Sequence, residues 1–328
     1  MTVEQAMPGR LDEQTTPIDI GQMSEQLIAN VERVIVGKRE IIELLLVAML
    51  SEGHVILEDV PGLGKTLLAK SIAKSMDCAF KRIQFTPDLL PSDVTGLNYF
   101  NQKTSEFEFL PGPIMANIVL ADELNRATPR TQACLLEAME ERQVTIDGQT
   151  MALPRPFLVL ATQNPVEQAG TFPLPEAQMD RFMIKIKIGY PSFEAENSIV
   201  LRFERQNPLD ALASVMTGAE LLEMGRVIRQ VHVDDSVREY MVRLIRATRQ
   251  HQAVRLGASP RGTQALYRAC QAMAMIRGRR FVLPDDVKAL AGPVLAHRLI
   301  IDSERRLRGR GRESLIAEIL NQVPAPVD

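Results

Sequence analysis

Lys65 and Thr66 close the segment Glu58-Asp-Val-Pro-Gly-Leu-Gly-Lys-Thr66, and Asp122 and Glu123 close the apolar run that begins at Ile118. A glycine-rich turn ending in Lys-Thr, set between a strand-like run (His54–Leu57) and a helical stretch, is an arrangement that cradles phosphates. Gly62 and Gly64 let backbone N–H groups converge on a β-phosphate where a side chain would obstruct them. The helix opening at Thr66 adds the positive end of its dipole. Lys65 has the reach for the β- and γ-phosphates, and the Thr66 hydroxyl is a ligand for Mg²⁺. Pro61, Leu63 and Leu67 complete the loop and its first turn. Asp122 and Glu123 stand at a strand's C-terminal end, where ligands sit in an open α/β sheet. Asp122 suits Mg²⁺, mostly through water, and Glu123 suits a general base that polarises the attacking water. The chemistry expected is hydrolysis of Mg·ATP. One departure stands out: Asp59 occupies the place of the first glycine in G-x-x-x-x-G-K-[ST].

A third run, Leu158-Val-Leu-Ala-Thr-Gln-Asn-Pro165, delivers Asn164 to the end of another strand. Asn164 could contact the water and γ-phosphate there, but Asn before Pro is also a common turn, and spacing alone leaves both readings open.

These residues need a frame. Four strand-like runs, His54–Leu57, Arg82–Phe85, Ile118–Ala121 and Phe157–Ala161, are followed by a fifth, Phe182–Ile188, which alternates apolar and charged as an edge strand would. Helical stretches at Thr66–Ser75 and Thr131–Glu141 separate strands, which predicts an α/β core with a five-stranded parallel sheet covered on both faces. Residues 1–20 are polar and aperiodic and are expected to be a flexible N-terminal segment. Met23, Leu27, Val31 and Val34 recur at helical spacing, and a second helix fits Ile41–Leu50. The core is bounded at 21–190, a linker at 191–215 and a small all-α helical lid domain at 216–328. Helices are predicted there over Glu220–Val231, Ser236–Gln250, Arg261–Met275, Asp285–His297 and Ser314–Val323, with no further strand. Arg298–Arg312 holds six arginines. It reads first as a solvated helix end, and otherwise as a patch for an acidic partner or nucleic acid.

Composition narrows the classes. A chain of 328 residues with a net charge of −3 is not built mainly to coat a nucleic-acid backbone. Three cysteines and four histidines show no metal-ligand spacing. Met1–Pro17 carries no apolar core of a signal peptide, and the longest apolar runs fall short of a membrane span. A cytoplasmic protein with no membrane insertion is expected.

The combination resembles the MoxR family of AAA+ ATPases, from about Val34 to Val323. The most specific stretches are Asp122-Glu-Leu-Asn-Arg-Ala127, Thr131-Gln-Ala-Cys-Leu-Leu-Glu-Ala-Met-Glu-Glu141, Ala161-Thr-Gln-Asn-Pro165 and Pro173-Leu-Pro-Glu-Ala-Gln-Met-Asp-Arg-Phe182. The family pattern admits an aspartate at the position of Asp59. The resemblance implies an AAA+ P-loop core followed by a helical lid, with ATP and Mg²⁺ bound. It makes Asn164 the sensor-1 residue, Arg181 an arginine finger acting on a neighbouring subunit's γ-phosphate, and Arg261 the sensor-2 arginine. Val36 and Gly37 would line the adenine pocket, where Lys38 stands in place of an expected glutamine. Leu97–Leu110 would be the insertion in helix 2. Val144–Leu153 would be the hairpin before sensor 1, and Asp147-Gly148 independently reads as its two-residue turn. From spacing alone Arg181 reads first as a salt-bridged strand start and Arg261 as an ordinary helix opening, and Arg126 fits subunit packing as well as catalysis.

The resemblance further implies self-association into a ring, a hexamer, and chaperone-like remodelling of a client or maturation of a metal centre with a von Willebrand A-domain partner. Two other classes fit the same core: a magnesium-chelatase-like ATPase subunit, and a nucleic-acid motor or transcription-related ATPase. The acidic balance and the lack of a Lys/Arg cluster in either hairpin weigh against nucleic acid.

Overall fold

A computed structural model describes residues 19–58, 60, 62–163, 170–204, 207–302 and 311–326. The predicted flexible segment lies almost wholly outside them, as do Asp59, Pro61, Asn164 and residues 303–310 of the arginine-rich stretch.

Five parallel strands form the centre: β1 (Val55–Glu58), β2 (Phe80–Gln84), β5 (Ile118–Asp122), β8 (Leu158–Gln163) and β9 (Ile184–Ile186), in the order β2-β5-β8-β1-β9. β5 and β8 are buried almost end to end, which a strand covered on both faces requires and an unbroken apolar run supplies. β9 is an edge, as its alternation predicts: Ile184 and Ile186 are buried, and Lys185 on the opposite face pairs with Glu58 at 2.7 Å. Pairing of Leu57 with Thr162 and of Ala121 with Ala161 sets the C-terminal ends of β1, β8 and β5 side by side. The segments that follow Glu58, Asp122 and Gln163 therefore leave the sheet from one edge.

Alternate residues of each strand feed two apolar clusters. One face, with Leu57, Leu120 and Leu160, packs under α1 (Ile20–Glu32), α2 (Arg39–Leu50) and α3 (Lys65–Ser75), and the same cluster continues without a break into the lid. The other face, with Ile56, Val119 and Val159, packs against α5 (Pro129–Glu141). Between β2 and β5 come a short α4 (Pro91–Thr95) and a hairpin, β3 (Gly96–Asn101) with β4 (Glu106–Pro111). A second hairpin, β6 (Gln143–Ile146) with β7 (Gln149–Ala152), turns at Asp147 and Gly148, both at positive φ, as the tight turn demands. A four-residue helix α6 (Glu176–Met179) precedes β9.

The lid comprises α8 (Gly218–Val227), α9 (Asp235–Gln250), α10 (Pro260–Ile276), α11 (Pro284–Leu295) and α12 (Arg312–Gln322). It departs from the all-α expectation in a two-stranded antiparallel pair, β10 (Val254–Leu256) with β11 (Ile300–Ile301). Three and two residues are too few to display an alternation. The stretch expected as a linker holds an eleven-residue helix, α7 (Phe193–Phe203), started by Ser192, whose hydroxyl accepts the Ala195 N–H at 3.2 Å. Pro191 and Asn207-Pro208 read as breaks, and both lie just outside this helix.

Two histidines are buried as neutral rings. His54 accepts the Val159 N–H on Nδ1 at 3.0 Å, so Nε2 carries the proton and donates to the Met139 carbonyl at 3.1 Å. Burial, helped by the Arg142 guanidinium, pushes this imidazole down to about 3. Burial and the neighbouring Arg298 likewise hold His297 well below the ordinary range. The unfolded chain takes up these protons near pH 6.5 and the folded chain does not, so the stability is present above about pH 6.5 and is lost as pH falls below it. His54 alone should remove about 1.4 kcal/mol by pH 5.5. Urea midpoints at pH 7 and 5.5 check this, and His54→Gln should flatten the difference.

Candidate active site

Gly62 and Gly64 sit at φ +88° and +79°, and a Cβ built on either would meet nothing within 4 Å. Glycine is needed there for its left-handed backbone, not for lack of room among the described residues. Gly64 caps α3, so Lys65 and Thr66 open the helix where unpaired N–H groups and the dipole favour an anion. Leu63, Lys65, Thr66 and Leu67 are all partly exposed around this opening.

Across the same sheet edge, Asp122 accepts the Thr162 hydroxyl on Oδ1 at 2.6 Å. Its Oδ2 takes the Arg82 guanidinium at 2.5 and 3.1 Å. Thr162 Oγ1 in turn accepts the Glu123 N–H at 2.8 Å. That bond holds Glu123 in the left-handed region, φ 56° and ψ 44°, a conformation costing a side-chain residue roughly 1–2 kcal/mol. The Glu123 carboxylate pairs with Arg126 at 2.9 Å. Thr162 and Arg82 were not singled out from sequence. A hydroxyl closing the apolar run Leu158–Ala161 was the one available sign of Thr162; nothing local marks Arg82, which meets Asp122 only because β2 and β5 pair.

The donor set suits Mg²⁺. One carboxylate and one hydroxyl, with phosphates and waters filling the remaining positions, is how this hard ion binds. Among the described residues no three His, Cys, Asp or Glu side chains cluster as a cage for another metal would need. Thr162 and Arg82 place three hydrogen bonds on the Asp122 carboxylate, short of the roughly four lone-pair sites it offers.

Val36 and Gly37 lie in the turn between α1 and α2, where a Cβ on Gly37 would meet the Ala195 Cβ of α7 at 3.3 Å. Lys38 beside them is fully occupied: its ammonium donates to the carbonyls of Ile188, Gly189 and Tyr190 at 2.7, 3.0 and 3.0 Å. It fastens the end of β9 to this turn.

Arg181 and Arg261 lie elsewhere. Both pair with Glu140, Arg181 through Nε at 3.2 Å and Arg261 through a terminal nitrogen. Glu140 follows Met139, which His54 contacts just before β1 begins, and Arg181 stands just ahead of β9. The two arginines therefore meet at the N-terminal end of the sheet, and the phosphate loop, Asp122 and Glu123 at the C-terminal end. The four residues of β1 alone separate these ends by about 13 Å. They face a cleft of about 270 Å³ that Arg142, Arg268 and Arg298 also line. Arg298 corrects the expectation of a solvated arginine stretch: it is buried, and its Nε donates to Asp180 at 2.8 Å. Asp180 also accepts the Ser259 hydroxyl at 2.8 Å, so the lid is buttoned to the residue preceding Arg181.

Sheet order, loop, paired carboxylates and helical lid make this chain an AAA+ ATPase. Residues 54–184 match the ATPase family associated with various cellular activities (AAA), and residues 246–319 match the AAA lid domain. The chain is 50% identical over 309 residues to YeaC of Bacillus subtilis, a protein of uncharacterised function, covering 94% of this chain and 97% of that one. It is 41% identical over 311 residues to chaperone MoxR1 of Mycobacterium tuberculosis, covering 92% and 82%, and 31% identical over 320 residues to MoxR of Paracoccus denitrificans, covering 90% and 92%. The crystal structure of a proposed ATPase from Cytophaga hutchinsonii superimposes with a TM-score of 0.88 at 41% identity, over 94% of this chain and 96% of that one. The chain belongs to the MoxR family of AAA+ ATPases. No helix among the described residues is long and apolar enough to cross a membrane.

Proposed function

We propose that this chain hydrolyses Mg·ATP at sites shared between neighbouring copies in a ring, a hexamer, and couples that cycle to chaperone-like remodelling of a client protein. The observation that carries the shared site is the separation of its two halves. Gly62–Leu67, Asp122, Glu123 and the segment leading to Asn164 belong to one end of the sheet, and Arg181 and Arg261 to the other. A γ-phosphate on the loop would lie beyond the reach of Arg181 and Arg261 of its own chain, and a neighbouring chain's pair would complete the site. Lys65 and Thr66 would hold the phosphates and Mg²⁺ together with Asp122, and Glu123 would take the proton of the attacking water. Arg181 and Arg261 would meet the charge that develops on the transferred group.

The remodelling half draws on the 41% identity to a chaperone and on the hairpin β3–β4, where Phe100 and Phe107 stack edge to face at 5.4 Å and are 52% and 75% exposed. Aromatic side chains presented to solvent at a hairpin tip suit contact with another protein. A von Willebrand A-domain protein, directly or as adaptor, is the partner class the family resemblance favours.

Turnover per chain, measured against chain concentration at saturating Mg·ATP and alongside sedimentation, tests the shared site. Activity should rise steeply where rings form. Constant turnover down to dilutions at which the chain sediments as a monomer would overturn it.

A further inference from the structure

We propose that Glu140 is a positioning residue for ATP hydrolysis, a single carboxylate that sets Arg181 of the core and Arg261 of the lid at a fixed spacing for one phosphoryl group. It rests on the intersubunit reading above.

Glu140 lies one residue before the end of α5, which Arg142 terminates in the left-handed region. Its two oxygens are divided between the arginines: Oε2 takes Arg181 Nε at 3.2 Å, and Oε1 takes an Arg261 terminal nitrogen. Two guanidiniums brought together without this carboxylate would repel and spread apart. With it, the trio keeps one net positive charge, so the cleft still attracts an anion. The contact with Arg181 is an ion pair at Nε, and its two terminal nitrogens make no contact with a carboxylate among the described residues. The edge of the guanidinium that forks a phosphate is thus left facing the cleft while the inner edge is fixed.

The neighbouring carboxylate works differently. Asp180 fastens backbone and framework, taking Ser259 and the buried Arg298, and among the described residues makes no bond to the side chain of Arg181 or Arg261. The Glu140 pairs are 31–49% exposed at their side chains, and ion pairs so exposed add little to stability. Glu140 is therefore dispensable to the fold and matters through where it holds two charges, the role of a partner one shell removed from the reacting atoms.

Glu140→Gln should keep ring assembly, melting temperature and KM for ATP within about twofold, while kcat falls by about 10–100-fold. Glu140→Asp, with the charge kept on a shorter arm, should recover part of that loss. In an Arg181→Ala background, single-turnover hydrolysis of γ-labelled ATP should show only part of that loss on adding Glu140→Gln, the part carried by Arg261. A kcat for Glu140→Gln within twofold of wild type would overturn the proposal. So would a loss that multiplies in full onto Arg181→Ala, or a Glu140→Gln chain that no longer assembles. Should Arg181→Ala itself keep wild-type turnover, the intersubunit reading falls, and the role of Glu140 with it. Should Arg181→Ala lose turnover and Glu140→Gln stay fully active, only the role of Glu140 falls.

Discussion

Alanine in place of Arg181 should lower kcat by about 10³–10⁵-fold while ATP still binds. That range corresponds to roughly 4–7 kcal/mol of barrier, far more than the surface ion pair with Glu140 contributes to the fold. The asymmetry follows from position: Arg181 is remote from Gly62–Thr66, so its removal should spare ground-state binding and strip stabilisation from the transition state alone. A fluorescent nucleotide titration beside a phosphate-release assay separates the two. Loss of binding equal to the loss of turnover would mean that Arg181 supports the loop, and wild-type turnover would mean that it supports neither.

Glu123→Gln should stop hydrolysis by a different route. The amide keeps the shape and the contact with Arg126 but cannot take a proton, and loss of a general base typically lowers rate by about 10²–10⁴-fold. The ring should then persist in its ATP-bound state. Mixing Glu123→Gln with Arg181→Ala chains should restore part of the activity, because some interfaces pair an intact Glu123 with an intact Arg181. Mixed rings, verified by a tag on one variant, that show no recovery would exclude a site shared between chains.

The readable part of this protein was the local part. Gly62 to Thr66, and Asp122 with Glu123, are contiguous segments whose residue order points to a chemistry; β1, β5 and β8 show as apolar runs and β9 as an alternation, while β2, with Lys81 and Arg82, shows least. The hairpin turn at Asp147-Gly148 was legible because only two left-handed residues make it. What stayed hidden depends on neighbours brought together by pairing or packing. Arg82 reaches Asp122 across adjacent strands, and Thr162 bridges Asp122 and Glu123 from a third. Glu140 meets Arg181 and Arg261 only once α5, the β9 approach and the lid have packed. Arg298 looked like one arginine of a solvated run, and its burial is visible only when Asp180 is placed against it. Helix α7 was masked by the prolines on either side.

The button at Asp180 bears on how such a machine could move. Ser259 and Arg298 of the lid both close on it, and one apolar cluster runs from the sheet through α1 and α2 into α10 and α11. A chain fastened in this way would transmit torque as a single lever, with little freedom to bend between core and lid. The compliant joint of the assembly would then be the seam where one chain's phosphate loop meets the next chain's arginines, and each hydrolysis would be felt as a tilt of whole chains past one another.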